Sequence, residues 1–422
     1  MLIGALKDWF FTFGESNPRR FAFAALAAAI SLALVSIAAS QILLAAAIVG
    51  AVWIWKKEGR AFLRLPPFTW PLFCFMAWTV AAVLASHNVP LGLRETKKFF
   101  LYSILFLVPW IARSEDALLR IYRAIFLVSA VAAASGVVQF IQNPNRDLLH
   151  RISGFMSNWM TYSGLLMLAL VAVLAYVVCR PLRKNWWALP LGVLMAAGVY
   201  LSKTRSTQSG ALVGLAMVLL LRRPRASLVL AALVALLYIG SPEMIKQRYR
   251  AGLDPNDPNT ANRIELFHTS IRLIRDNPWL GVGPKNVNQE ALRYRGKNGF
   301  PNWMYQHMHN NFTQIAAERG IPGLLLWLWL MGRLAWDALR VYRSARKNTP
   351  RSDGALVIST AALGVWAALL AAGMFEWNFG DSEPLTLFLF MAAAPYAITV
   401  AAAKPKTAAI AEGLKKQTGS QD

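Results

Sequence analysis

His309 and Asn310 stand in the run His307-Met308-His309-Asn310-Asn311-Phe312, just before a stretch that reads as a helix stopping at Gly320 with Pro322 behind it. Asn310 or His309 falls at the N-cap. The positive end of the helix dipole there favours a neutral, basic imidazole and draws a phosphate to the same spot. Arg263 lies in the segment 262–275, where Ile264, Phe267, Ile271 and Ile274 recur at helical spacing. It reads as a first-turn residue, a place where a cation opposes the dipole unless an anion binds beside it. Arg205 sits among hydroxyl-bearing residues, Ser202 to Ser209, at the end of an apolar block and a few residues before Gly210 and Gly214. An ionisable group at membrane depth is costly unless paired or wetted, which marks Arg205 as a ligand contact. A base next to such arginines is equipment for taking a proton from an acceptor beside an anionic group. The rival bases are Glu318, Glu376, Asp381 and Glu383. The five histidines, His87, His150, His268, His307 and His309, all fall in polar segments, and for any one of them exclusion from lipid is reason enough. Only His309 combines a helix start, a neighbouring amide and a basic surround.

These residues must be held by a mostly apolar chain. Of 422 residues, 56% are apolar, against about 45–50% in a soluble domain. The composition predicts an all-α integral membrane protein with about twelve transmembrane helices, at 21–37, 41–55, 68–85, 99–112, 119–141, 155–178, 186–202, 210–221, 227–240, 321–339, 354–375 and 384–402. The apolar run 21–55 would span about 52 Å as one helix, against a hydrocarbon core of about 30 Å, so it must be two helices joined by a tight turn. Lys and Arg recur in alternate connections and near both ends of the chain. This predicts cytoplasmic termini and explains most of the net charge of +23 without nucleic acid. The predicted organisation is helices 1–9 over 1–240, a large periplasmic loop with short amphipathic helices and the active site over 241–320, helices 10–12 over 321–403, and a cytoplasmic tail over 404–422. That loop carries eleven Lys and Arg against seven Asp and Glu. Positive charge where topology disfavours it points to an anionic partner such as a phosphate-bearing lipid. Further cations lie in smaller outer segments; Arg94, Lys97 and Lys98 at a helix mouth serve equally as lipid-phosphate anchors or as snorkelling charges. Cys74 and Cys179, the only cysteines, read as unpaired thiols, and no cleavable leader is evident.

At His309-Asn310 followed by Glu318-x-Gly320-x-x-Gly323 the sequence resembles the O-antigen ligases and the related O-antigen polymerases. The resemblance runs upstream through Asn277-Pro278-Trp279-Leu280-Gly281-Val282-Gly283 with Arg263 before it, Thr204-Arg205-Ser206 leading into a Gly-rich span, and Arg151-x-Ser153-Gly154. It covers about 151–323, with one departure: Arg205 is followed by Ser206-Thr207-Gln208 where many relatives carry a small Gly-Ala pair. The resemblance implies a GT-C-type membrane glycosyltransferase in the bacterial inner membrane, working at the periplasmic face without metal or cofactor. It would move a polysaccharide from undecaprenyl pyrophosphate to the lipid A-core oligosaccharide. By the same resemblance His309 is catalytic, Arg205, Arg263 and Arg151 bind the donor pyrophosphate, and Asn310 supports the base. Because pyrophosphate is a weakly basic leaving group, one neutral His and two or three Arg suffice, and direct attack would invert the anomeric centre. Polymerisation of the same glycan and transfer to protein are the alternative reactions. A lipid-linked-saccharide flippase is the non-enzymatic one, although its charges are expected at mid-bilayer in paired halves rather than in one outer loop.

Overall fold

The computed structural model describes residues 16–59, 63, 65–143, 150–241, 243–252, 254–295, 301–347 and 352–402. Lys7, the turn residues 144–147, Lys297, Phe300 and the tail 404–422 lie outside the described residues. Among the described residues the chain is all helix. In order the helices are α1 (Asn17–Leu32), α2 (Ile37–Glu58), α3 (Thr69–Leu84), α4 (Val89–Thr96), α5 (Phe99–Ile111), α6 (Glu115–Gln142), α7 (Trp159–Cys179), α8 (Leu182–Asn185) and α9 (Ala188–Leu201). They continue as α10 (Arg205–Arg222), α11 (Pro224–Ile239), α12 (Glu243–Ala251), α13 (Pro258–Asp276), α14 (Val287–Ala291), α15 (Asn311–Lys347), α16 (Asp353–Ala372) and α17 (Ser382–Ala402), with 3-10 turns at Asn302–Gln306 and Asn378–Gly380.

Each of the twelve apolar blocks coincides with a helix. By length and composition alone, α2, α6, α7 and α16 are long and apolar enough to cross a membrane. The run 21–55 folds as the helical hairpin α1–α2, and Ser36 caps α2 by accepting from the Ala39 amide at 3.4 Å. Both cysteines are free.

The core is built on α7 and α16, buried along most of their length. Helix α10 joins them through small residues. A Cβ on Gly214 would lie 2.7 Å from Val171 and 2.9 Å from the Gly364 carbonyl, and one on Gly210 would lie 2.7 Å from the Ala368 carbonyl. Only glycine lets the two helices approach this closely, the usual means of packing helices where no hydrophobic drive separates lipid from side chain. The Gly-rich span after Arg205 therefore fixes the first turn of α10 beside the end of α16.

Helix α15 is interrupted at Gly320, whose φ of 70° breaks the hydrogen-bond ladder before Pro322. The segment after α13 docks into that break. The Val282 amide donates to the Ala317 carbonyl at 2.9 Å, Gly283 to Glu318 at 3.0 Å, and Ile321 to Pro278 at 2.7 Å. Gly281 and Gly283 hold φ of 64° and 86°, so the glycines of 277–283 serve a backbone dock rather than a nucleotide loop.

Candidate active site

Asn310 is the cap of α15: its Oδ1 accepts from the amides of Phe312 at 2.8 Å and Thr313 at 3.1 Å. Its Nδ2 donates to the Met374 carbonyl at 2.9 Å, tying the helix start to the turn that leaves α16. Asn311, which sequence reasoning passed over, is fully buried. Its amide donates to Gly373, its Nδ2 to Asn378 Oδ1 at 2.7 Å, and its Oδ1 accepts from the Phe379 amide at 3.2 Å. Two successive asparagines thus clamp the loop 373–381 against the α15 start.

That clamp brings Glu376 to His309, whose Nδ1 lies 3.3 Å from Glu376 Oε2. The other carboxylate oxygen of Glu376 accepts from the Trp377 amide at 3.1 Å. Burial alone raises the pKa of Glu376. The hydrogen bond and charge of His309, the field of His307 and the Trp377 amide outweigh it and hold the group below the ordinary value. His309 itself has φ of 46°, a left-handed backbone that turns the imidazole off the helix path. His307 lies against it. Its ring centroid is 4.1 Å from that of His309, and its Nδ1 has no protein partner. Burial, then the charge of His309, pushes its pKa down to about 4.

The arginines named from the sequence gather at the same place. Arg151 is depressed by burial and then by the charges of Arg205 and Arg263; Arg263 is depressed by burial and by Arg205 while Glu376 opposes. Such mutual fields put the three guanidiniums within electrostatic reach of one another, with Glu376 in reach of Arg263. Each is set there by a different element. Arg151 stacks over Trp159 at 5.2 Å, on a loop gripped by Gln139, whose Oε1 accepts from the amides of Ser153 at 3.1 Å and Gly154 at 2.9 Å. Arg205 opens α10, and its guanidinium is so close to Gly252 that a Cβ there would stand 2.5 Å from Nη1. Arg263 lies over Phe375 at 6.0 Å.

One expectation about α13 needs correction. The helix begins at Pro258, capped by Asp257 Oδ1, which accepts from Asn259 and Thr260 at 3.1 Å each. Arg263 is therefore past the first turn, where the dipole argument fades. On this helix Ile264, Phe267 and Ile271 are exposed, while Glu265, Leu266, Thr269, Ser270 and Leu273 are buried. The inward polar side is satisfied by its own partners, with Arg272 Nη2 and Thr269 Oγ1 both donating to Glu265 Oε1 at 3.0 Å. Tyr162 is buried and donates weakly to the Ala133 carbonyl at 3.4 Å.

Of the rival bases, Glu318 is buried and committed. It pairs with Arg319 and accepts from Gln314 Nε2 at 2.9 Å and from the Lys285 amide at 3.3 Å. Lys98, from the helix mouth, pairs with Glu95, and Lys285 Nζ lies 3.8 Å from the same carboxylate. Asp381 differs: burial, then the charges of Glu376 and Glu383, raises its pKa to about 7, against Lys98 and Lys285. A carboxyl whose folded pKa exceeds its unfolded value of 3.8 adds stability below that value and loses it as pH rises through about 7. His307 has the opposite slope between about 4 and 6.5, but it is common to wild type and variant and cancels in their difference. Thermal melts should therefore show Asp381→Asn gaining on wild type as pH rises from 5 to 8. An offset independent of pH would mean that Asp381 does not carry a raised pKa.

His307, His309 and Glu376 each place one donor atom within 4.8 Å of the others, a set of two imidazoles and a carboxylate that suits a divalent ion. The three guanidiniums alongside create a field that opposes a dication and favours an anion. In chemical terms the site is a histidine–carboxylate pair beside a cationic cradle.

A bundle of apolar helices, four of them long and apolar enough to cross a membrane, carries this polar cluster of histidines, a carboxylate and arginines. Residues 190–328 match the family model described as O-Antigen ligase, and the resemblance read from the sequence holds over that segment. The match takes in Arg205, Arg263, His309 and Asn310 but neither Arg151 nor Glu376. Among curated proteins, one named "Putative polysaccharide ligase" in Rickettsia felis is 33% identical over 96 residues. A similarly named protein of Rickettsia conorii is 32% identical over the same length. In both cases the match takes 21% of this chain and 22% of the relative, so only about a fifth of either protein is aligned.

Proposed function

We propose that the protein is an O-antigen ligase of GT-C type, transferring polysaccharide from undecaprenyl pyrophosphate to lipid A-core oligosaccharide at the periplasmic face of the inner membrane. The observation that carries this reading is the His309–Glu376 pair at 3.3 Å beside Arg151, Arg205 and Arg263. On this reading the chain crosses the membrane twelve times, both termini are cytoplasmic, and the loop 241–320 with the active site is periplasmic.

The pair acts as base and orienter. A carboxylate accepting Nδ1–H fixes the tautomer that leaves Nε2 as the basic nitrogen. The acceptor hydroxyl gives its proton to His309 as its oxygen bonds to the anomeric carbon, the bond from that carbon to pyrophosphate breaks, and configuration inverts. Undecaprenyl pyrophosphate departs with the negative charge, held by the three guanidiniums, whose forks suit phosphate oxygens. No metal enters this scheme because the leaving group is already a stable anion held by fixed cations.

Deletion of the gene tests the reading and separates it from polymerase. A ligase mutant accumulates full-length polymer on the lipid carrier with none on lipid A, and restoring the gene restores attachment. Single repeat units alone on the carrier or on lipid A would assign polymerase instead. Unchanged lipopolysaccharide would leave protein glycosylation or flipping to be tested.

A further inference from the structure

At the other end of the bundle lies a recess of about 340 Å³, lined by Leu220, Leu221, Arg222, Arg223, Pro224 and Arg346. Arg222 ends α10 and Arg205 begins it, so at 1.5 Å per residue the two are about 25 Å apart. The recess is thus separate from the site described above. Three elements build it: the close of α10, the start of α11, and the last turn of α15, which supplies Arg346. Tyr342 on α15 donates to the Leu221 carbonyl at 2.5 Å, fixing two of these walls to each other.

Among the described residues none of the three guanidiniums is in an ion pair. Arg222 touches the Cys179 thiol on its inner side, where the field of Asp353 also reaches. Its Nε is shut off from solvent and has no protein hydrogen-bond partner. A cation retained only to orient the chain would snorkel its donors into water. Here the Arg222 side chain is held partly inside the protein at the recess wall instead. The start of α11 adds to the same bias, since Arg223 at its N-cap gives no side-chain cap and the helix dipole presents its positive end. Arginine, unlike lysine, offers a planar fork matched to two phosphate oxygens. Leu220, 57% exposed, sets an apolar surface beside the cations.

We propose that this recess binds a phosphate group, with Arg222, Arg223 and Arg346 converging on it. The phosphate belongs to a lipid headgroup or to a soluble phosphate, and the measurement tells which. On the topology proposed above the recess faces the cytoplasmic leaflet, but the inference rests on the recess alone and survives if that topology fails.

The full chain, purified in maltoside micelles, is melted with added phosphatidylglycerol, with diacylglycerol of the same acyl chains, or with inorganic phosphate. A bound headgroup raises the melting temperature by roughly 2–4 °C with phosphatidylglycerol and not with diacylglycerol. The Arg222→Gln/Arg346→Gln double variant loses that rise while melting like wild type in plain micelles. An equal rise with inorganic phosphate alone assigns the soluble source. If the double variant does not fold, Arg223→Gln and Arg346→Gln, both at exposed positions, are melted singly, and each should shrink the rise. The proposal is overturned if neither phosphate compound stabilises the protein, or if the folded variants respond as wild type does.

Discussion

His309→Ala should lower turnover by about 10²–10⁴-fold, the usual worth of a positioned base, while leaving the protein folded and able to bind donor. The two readouts separate base from binding residue, because loss of a donor contact weakens binding as well. Glu376 acts through His309, so Glu376→Ala should cost less than His309→Ala and add little to it in the double variant. Gln at 376 retains an oxygen that accepts Nδ1–H and should recover part of the loss. A structural role alone would give no such rescue without a matching gain in melting temperature. The outcome that moves the base to the carboxylate is near-normal turnover in His309→Ala beside a dead Glu376→Ala. Since the His307 ring lies against His309, His307→Ala should lower turnover measurably, though less than His309→Ala.

The second large effect is expected at Arg205 and Arg263. Each Ala variant should lose on the order of 10²–10³-fold in kcat/KM, comparable to removing one donor from a preorganised anion site. Lys should restore only part, since it keeps the charge and loses the fork. Both positions are built to hold a guanidinium still, Arg205 against Gly252 and Arg263 over Phe375, so Lys also loses the packing. Transfer measured in vitro, at matched protein levels, decides it. Two Ala variants with wild-type kcat/KM would remove these residues from the donor site.

The sequence made the helices legible because hydrophobic blocks the length of a span leave few alternatives, and each became a helix. His309 and Arg205 stood out in the sequence because cost marks them, an imidazole at a helix start and a charge beside an apolar block, whereas Arg151 entered only through the resemblance and Arg263 through a first-turn position that the helix does not give it. Glu376 appeared only as one of four rival carboxylates, and nothing in its own neighbourhood pairs it with a residue 67 positions earlier. Asn311 was missed for a similar reason. Its three partners lie in the loop 373–379, and an asparagine next to a capping asparagine looks redundant until that loop is in place. The start of α13 was misplaced for a different reason: the apolar spacing begins at Ile264, while the helix begins at Pro258 under the Asp257 cap.

Helix α10 has an arginine at each end, and its 18 residues measure about 27 Å, slightly less than an average hydrocarbon core of about 30 Å. Neither guanidinium can sink into lipid cheaply, and close glycine contacts with α16 prevent the helix from adjusting its length by tilting alone. On the proposed topology, bilayer thickness thus becomes a variable of catalysis. In a thicker membrane the lipid must thin around α10 or Arg205 must sit lower relative to its substrate. The reaction carried out at one surface is in that sense gauged from the other.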